Sequence, residues 1–209
     1  MVGGSAAGTR RPRSDIDLLV IGPASMFDGG RVSAAHTDLF DGELMEVFAA
    51  TPDEYRRRVR AAAERFRPVA GHMLLDGVVI VDAGTAQGLI EEIAALLAVG
   101  PQPTAAELTQ RRYDVTATLD DLLDAEDPAE TAVLAGRLFD RLGELVLLVD
   151  HRWIGAGRWL LRRLEEQDPA FAAALGSALA ERDVPALERL ALQALQPLGG
   201  RLQAGHVRT

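Results

Sequence analysis

The 209-residue sequence predicts an α+β protein, a mixed sheet flanked by helices followed by an all-α helix bundle. Three observations carry that reading. Short β-type runs bounded by glycine are confined to the first eighty residues or so, apolar residues recur at helical spacing beyond Pro103, and "VGPQP" near residue 100 has the composition of a linker. The expected units are residues 1–100 and residues 104–200.

The first predicted strand is "DIDLLVIG", residues 15–22, of strand length and rich in strand-forming residues. The second is "ELMEVFAA", residues 43–50, running into a helix whose start is marked by Thr51 as N-cap, Pro52 at the first helical position and acids in the first turn. "GVVIVD", residues 77–82, reads as a third strand, and a helix is expected over residues 86–98. In the second unit Leu108, Val115, Leu119, Leu122 and Leu123 form one helical stripe, and Val133, Leu134, Leu138, Leu142, Leu145 and Val149 another. Further helices are expected over residues 159–164, 170–180 and 185–195, with breaks at Asp168-Pro169 and Asp183. The patternless last ten residues are expected to fray.

Composition narrows the chemistry. Zero cysteines exclude disulfides, thiolate nucleophiles and cysteine-ligated zinc, leaving hard, oxygen-ligated metals. All 22 cationic residues are arginine, which excludes lysine Schiff bases and the phosphate loop ending in Gly-Lys. A net charge of −9 argues against broad nucleic-acid binding. No run approaches the roughly 18 apolar residues of a membrane span and no signal peptide precedes the first motif, so no membrane role and a cytoplasmic location are expected.

The stretch "VGGSAAGTRRPRSDIDLLV" concentrates the chemistry. On a strand Asp15 and Asp17 share one face while Ile16 and Leu18 point to the core. Two carboxylates so placed repel unless a divalent cation neutralises them, which makes the pair a platform for magnesium and phosphate oxygens. Gly4 and Ser5 offer close-approaching N–H groups and a hydroxyl to β- and γ-phosphates, and Arg10, Arg11 and Arg13 lie between this cradle and the carboxylates. Phosphoryl and nucleotidyl transfer need in-line geometry and spread positive charge, often from two metal ions.

At this spacing Gly4, Ser5, Gly8, Ser14, Asp15 and Asp17 resemble the signature of the nucleotidyltransferases of the DNA polymerase β superfamily. "LMEVFAATPDEYRRRV" is similar to the stretch of kanamycin-type nucleotidyltransferases that carries a third carboxylate on a neighbouring strand. That match falls on Glu46, with Glu43 the competitor. "AGRW", residues 156–159, is similar to an Ala-Gly-Lys-Trp stretch in which the lysine serves the nucleotide phosphates, so Arg158 takes that place here. The same alignment sets Ile154 where the family has its glutamate base, leaving Asp120, Asp121 and Asp150 as candidates. Relatives have a helix and most of a strand ahead of the Gly-Ser, whereas Met1, Val2 and Gly3 alone precede it in this sequence.

The resemblance implies a magnesium-dependent enzyme with a two-metal site. Asp15, Asp17 and Glu46 would bind metal and act in catalysis, and Gly4, Ser5, Ser14 and Arg158 would bind a nucleoside triphosphate. A nucleoside monophosphate would pass to the hydroxyl of a small molecule such as an aminoglycoside, or of a protein or RNA, held between the two units, with pyrophosphate released. The alternative it implies is an antitoxin-like or regulatory protein of the same fold that acts by binding a partner. Related enzymes that share sites across a dimer imply a homodimer. Elsewhere, "EYRRRVRAAAERFR" reads as a helix with Tyr55, Val59 and Phe66 inward and its arginines solvated, His72 and His151 as structural or surface residues, and Trp153 and Trp159 as bundle core.

Overall fold

The computed structural model describes residues 2–3 and 14–203. It divides into two compact units, residues 1–100 and 101–209.

The first unit is built on strands β1 (Val2–Gly3), β2 (Ile16–Ile21), β3 (Ser33–Phe40) and β4 (Glu43–Ala50), in the spatial order β1-β2-β4-β3. The ladder between β2 and β4 is parallel; β1 and β3 are antiparallel to their neighbours, so the sheet is mixed. The hairpin from β3 to β4 turns on Asp41 and Gly42, whose φ angles of 51° and 80° fit a two-residue loop with both central residues left-handed. β4 runs directly into helix α1 (Pro52–Ala63), where the Thr51 side chain accepts from the Glu54 N–H.

Helices α2 (Val69–Asp76) and α3 (Ala86–Ala98) pack with α1. The three converge on Gly71, where a methyl group would lie 2.9 Å from Leu97 Cδ1 and 3.1 Å from Val59 Cγ1, so a larger residue would have to push those side chains aside. Tyr55, Val59, Leu74, Leu89, Ile93 and Leu97 fill the space between them. The Tyr55 hydroxyl donates to the Ala70 carbonyl, and burial pushes its phenol above the ordinary range. Arg56 and Arg60 of α1 both pair with Glu92 of α3, at 2.6 and 3.1 Å.

Residues 77–82 do not form the expected third strand. Beyond a single bridge at Val78 the segment is irregular, and Ile80 and Val81 are 61% and 84% exposed. Asp82 caps α3 instead: its Oδ1 accepts from the N–H groups of Gly84, Thr85 and Ala86 at 2.9–3.0 Å, which lowers its carboxyl pKa, the Ala86 amide acting most strongly.

The second unit is all helical: α4 (Ala105–Asp124), α5 (Pro128–Val149), α6 (Arg158–Gln167), α7 (Pro169–Glu181) and α8 (Val184–Leu195). Successive helices pack on one another, and α8 returns to α4 and α5, closing the bundle. Its starts are chemically marked. Thr104 and Glu107 form a reciprocal capping box, and Asp127, Asp168 and Asp183 each cap a helix with their carboxylates. Leu119, Leu138, Leu142, Leu145, Leu164 and Leu175 are fully buried, whereas Leu123 and Val133 of the expected stripes face solvent.

Residues 200–203, the described part of the ten expected to fray, are held together with Gly199. Arg112 donates to the carbonyls of Gly199, Gly200 and Arg201, the Leu202 N–H donates to the Thr116 hydroxyl, and Arg201 pairs with Asp120. Among the described residues no helix is long and apolar enough to cross a membrane.

Candidate metal centre

The parallel register of β2 and β4 sets Asp17 directly beside Glu46. Asp15 lies two residues earlier on β2's approach and therefore on the same face. One carboxylate oxygen from each of Asp15, Asp17 and Glu46 lies within 4.8 Å of the other two, and all three residues are half-buried. The alternative carboxylate, Glu43, is of opposite parity on β4, sits exposed beside the hairpin turn opposite Phe40, and belongs to the other face.

The acidic face becomes apolar farther along both strands. Leu19 and Ala50, on the same side as the carboxylates, are buried, so the cluster sits where core gives way to solvent. Ile16 and Leu18, expected to point into the core, are only half-buried. Helices therefore do not cover one face of β2 alone, and strict alternation fails as a guide to its burial.

The donor set suits a hard cation. Carboxylate oxygens sharing one magnesium ion lie about 2.9–4.2 Å apart in an octahedron of 2.0–2.1 Å bonds. A spread within 4.8 Å thus needs only a small contraction, and the attraction of three anions for a divalent ion favours it.

The other expected site residues fall elsewhere. Gly4, Ser5, Gly8, Arg10, Arg11 and Arg13 lie outside the described residues; Ser14 is half-buried immediately before Asp15. In the helical unit Arg158 opens α6 exposed, 5.5 Å from the Trp159 ring centroid. Of the base candidates, Asp120 pairs with Arg201, Asp150 accepts from Gln167 at 2.8 Å, and Asp121 is exposed on α4. Ile154 is buried.

Trp159 is not bundle core. It is 42% exposed and lies under two guanidinium groups, Arg158 and Arg162, the latter 4.6 Å from its centroid. His151 is exposed with Nδ1 3.0 Å from the Pro101 carbonyl, so that nitrogen carries the proton; His72 is half-buried on α2. The arginines of α1 are matched by acids: Arg57 and Arg58 both donate to Glu54 at 2.7–2.8 Å and hold its carboxyl down at about 2. Tyr55, Val59 and Phe66 on the other side of this segment are buried.

One residue of this neighbourhood escaped the sequence reading. Thr37 of β3 is the cross-strand partner of Glu46 and extends the row Asp17–Glu46–Thr37 across three strands. The signal that would have found it is Asp41-Gly42, a two-residue hairpin turn implying a strand on its N-terminal side.

No family model matches the sequence, and no curated protein is similar to it. Among solved structures, a nucleotidyltransferase-like protein from Exiguobacterium sibiricum 255-15 is similar to this chain with a TM-score of 0.44 and 13% sequence identity, over 90% of this chain and 69% of that one.

Proposed function

We propose that this chain is a metal-dependent nucleotidyltransferase, moving a nucleoside monophosphate from a nucleoside triphosphate to an acceptor hydroxyl with release of pyrophosphate. The observation that carries the proposal is the convergence of Asp15, Asp17 and Glu46 from two adjacent parallel strands. Three carboxylates converging at the edge of a core form a donor set for a hard cation, which a chain acting only by binding a partner does not require.

Asp15, Asp17 and Glu46 would hold the metal, with Asp15 and Asp17 shared by two magnesium ions in the two-metal form of the site. Bound there, magnesium supplies positive charge to the phosphoryl oxygens of an in-line displacement. The protein's own part is positional. Strand pairing fixes the Asp17 and Glu46 backbones side by side, so the carboxylates meet a triphosphate in a preset arrangement rather than being gathered by it. Gly4, Ser5 and Ser14 would hold the triphosphate tail through N–H and hydroxyl donors. The acceptor would be a small molecule such as an aminoglycoside, or a hydroxyl of protein or RNA.

The test is calorimetric titration of the protein with each nucleoside triphosphate in magnesium, alongside transfer of label from the α-phosphate to candidate acceptors. Asp15→Asn with Asp17→Asn removes two charged contacts of about 1.5–3 kcal/mol each and should weaken binding at least about a hundredfold. Failure of the wild-type protein to bind any triphosphate, or binding indifferent to the double substitution, would overturn the proposal.

A further inference from the structure

β3 is the outer strand of the sheet, and from Ala35 to Phe40 it is exposed. Leu39 and Phe40 are 75% and 67% accessible. An edge carrying large apolar residues and open peptide groups is a template for another strand.

The hydrogen-bonding sense of that edge follows from its turn. In a two-residue hairpin the flanking pair, here Phe40 and Glu43, exchanges backbone bonds. At the other end of the ladder the Thr51 N–H donates to the Val32 carbonyl at 2.9 Å, which agrees with the same parity. Even-numbered residues of β3 therefore bond to β4, and Ser33, Ala35, Thr37 and Leu39 aim their N–H and C=O groups outward.

We infer that a second copy of this chain docks on this edge, its β3 antiparallel to the first, with a two-fold axis through Thr37. That register pairs His36 with Asp38 of the second copy, twice over, and sets Leu39 against Ala35 and Phe40 against Ala34. These pairs set an imidazole against a carboxylate and large side chains against small ones. Within one chain the His36 Nε2 already lies 3.3 Å from an Asp38 carboxylate oxygen, so docking would close an alternating quartet of two imidazoles and two carboxylates.

The neighbouring registers lack this. An axis through Asp38 opposes two carboxylates, and one through His36 opposes two imidazoles and leaves Asp38 against Ala34. Registers with the axis between residues pair outward with inward peptide groups and lose the ladder. The axis through Thr37 is thus the one that satisfies backbone and side chains together. It produces one continuous sheet with both carboxylate clusters on the same face, the two Glu46 backbones about three strand spacings, or roughly 14 Å, apart.

Sedimentation equilibrium of the full chain should show a dimer. Thr37→Pro removes the N–H that donates at the axis, leaves the bonds to β4 intact, and should give a monomer. His36→Asp sets like charges opposite at two sites and should weaken association about tenfold or more, with Asp38→His added to it restoring the dimer. Because the chain has no cysteine, His36→Cys mixed with Asp38→Cys should form an intermolecular disulfide, since a closely spaced strand pair of about 4.5 Å between Cα atoms admits one. Neither variant alone should link. A chain that sediments as a monomer at its solubility limit overturns the inference. So does a dimer that survives Thr37→Pro, or one whose mixed cysteines stay reduced. None of these results depends on nucleotide binding, so failure here leaves the proposed activity standing.

Discussion

The helical unit and the sheet unit spend their apolar residues differently. In the former, leucines of every helix from α4 to α8, such as Leu119, Leu142, Leu164, Leu175 and Leu187, are fully buried, and the starts of four of the helices are capped by a Thr or Asp side chain. The latter leaves Leu39, Phe40, Leu44 and the run from Val78 to Val81 in solvent, and places three acids where its core ends. The sheet unit keeps three converging carboxylates and an exposed outer strand, the two features suited to chemistry and to assembly.

The contrast breaks first at the bundle core. Leu142 is fully buried on α5, so Leu142→Ala should lower the stability of the helical unit by about 2–5 kcal/mol, measured by urea unfolding, and leave the proposed metal binding by the sheet unit unchanged. A loss below about 1 kcal/mol would mean that the bundle yields around the gap and is not the packed object described. A smaller loss is expected at its rim. Arg112→Met frees the carbonyls of Gly199, Gly200 and Arg201 from a guanidinium and should cost about 1.5–3 kcal/mol, with new proteolytic cleavage between residues 199 and 203. Unchanged cleavage would show that Thr116 and Asp120 hold the segment without Arg112.

Legibility in the sequence divides along related lines. β4 and α3 were read to the residue, because both have local signals: a glutamate-to-alanine run closed by Thr51-Pro52, and helical spacing after a turn. The breaks expected at Asp168-Pro169 and Asp183 fall between helices, where the two aspartates cap the helices that follow. The errors came where structure depends on a partner. Residues 77–82, "GVVIVD", have high strand propensity and still form no ladder, whereas "SAAHTDLF" has little propensity and becomes β3 because the Asp41-Gly42 turn folds it onto β4. Trp159 was misplaced for the same reason, since helical spacing cannot reveal that two arginines cover its ring from outside. The neighbouring positions of Asp17 and Glu46 are implied by the resemblance to nucleotidyltransferases; nothing in their separation by 29 positions predicts a shared row.

The smallest expected change in stability is the most informative about the sheet unit. Asp15, Asp17 and Glu46 are half-buried and mutually repelling, so in the absence of metal Glu46→Gln should alter stability by no more than about 0.5 kcal/mol, or raise it. Added magnesium should then separate the two proteins. At about a hundred times its dissociation constant a bound ion stabilises the wild type by about 2.7 kcal/mol, and the substituted protein should gain little of that. A metal-free loss above about 1 kcal/mol would place Glu46 among the residues that hold the sheet together, and the difference between the two units would then be one of degree. Equal stabilisation of both proteins by magnesium would locate the ion away from the row that Asp17 and Glu46 form.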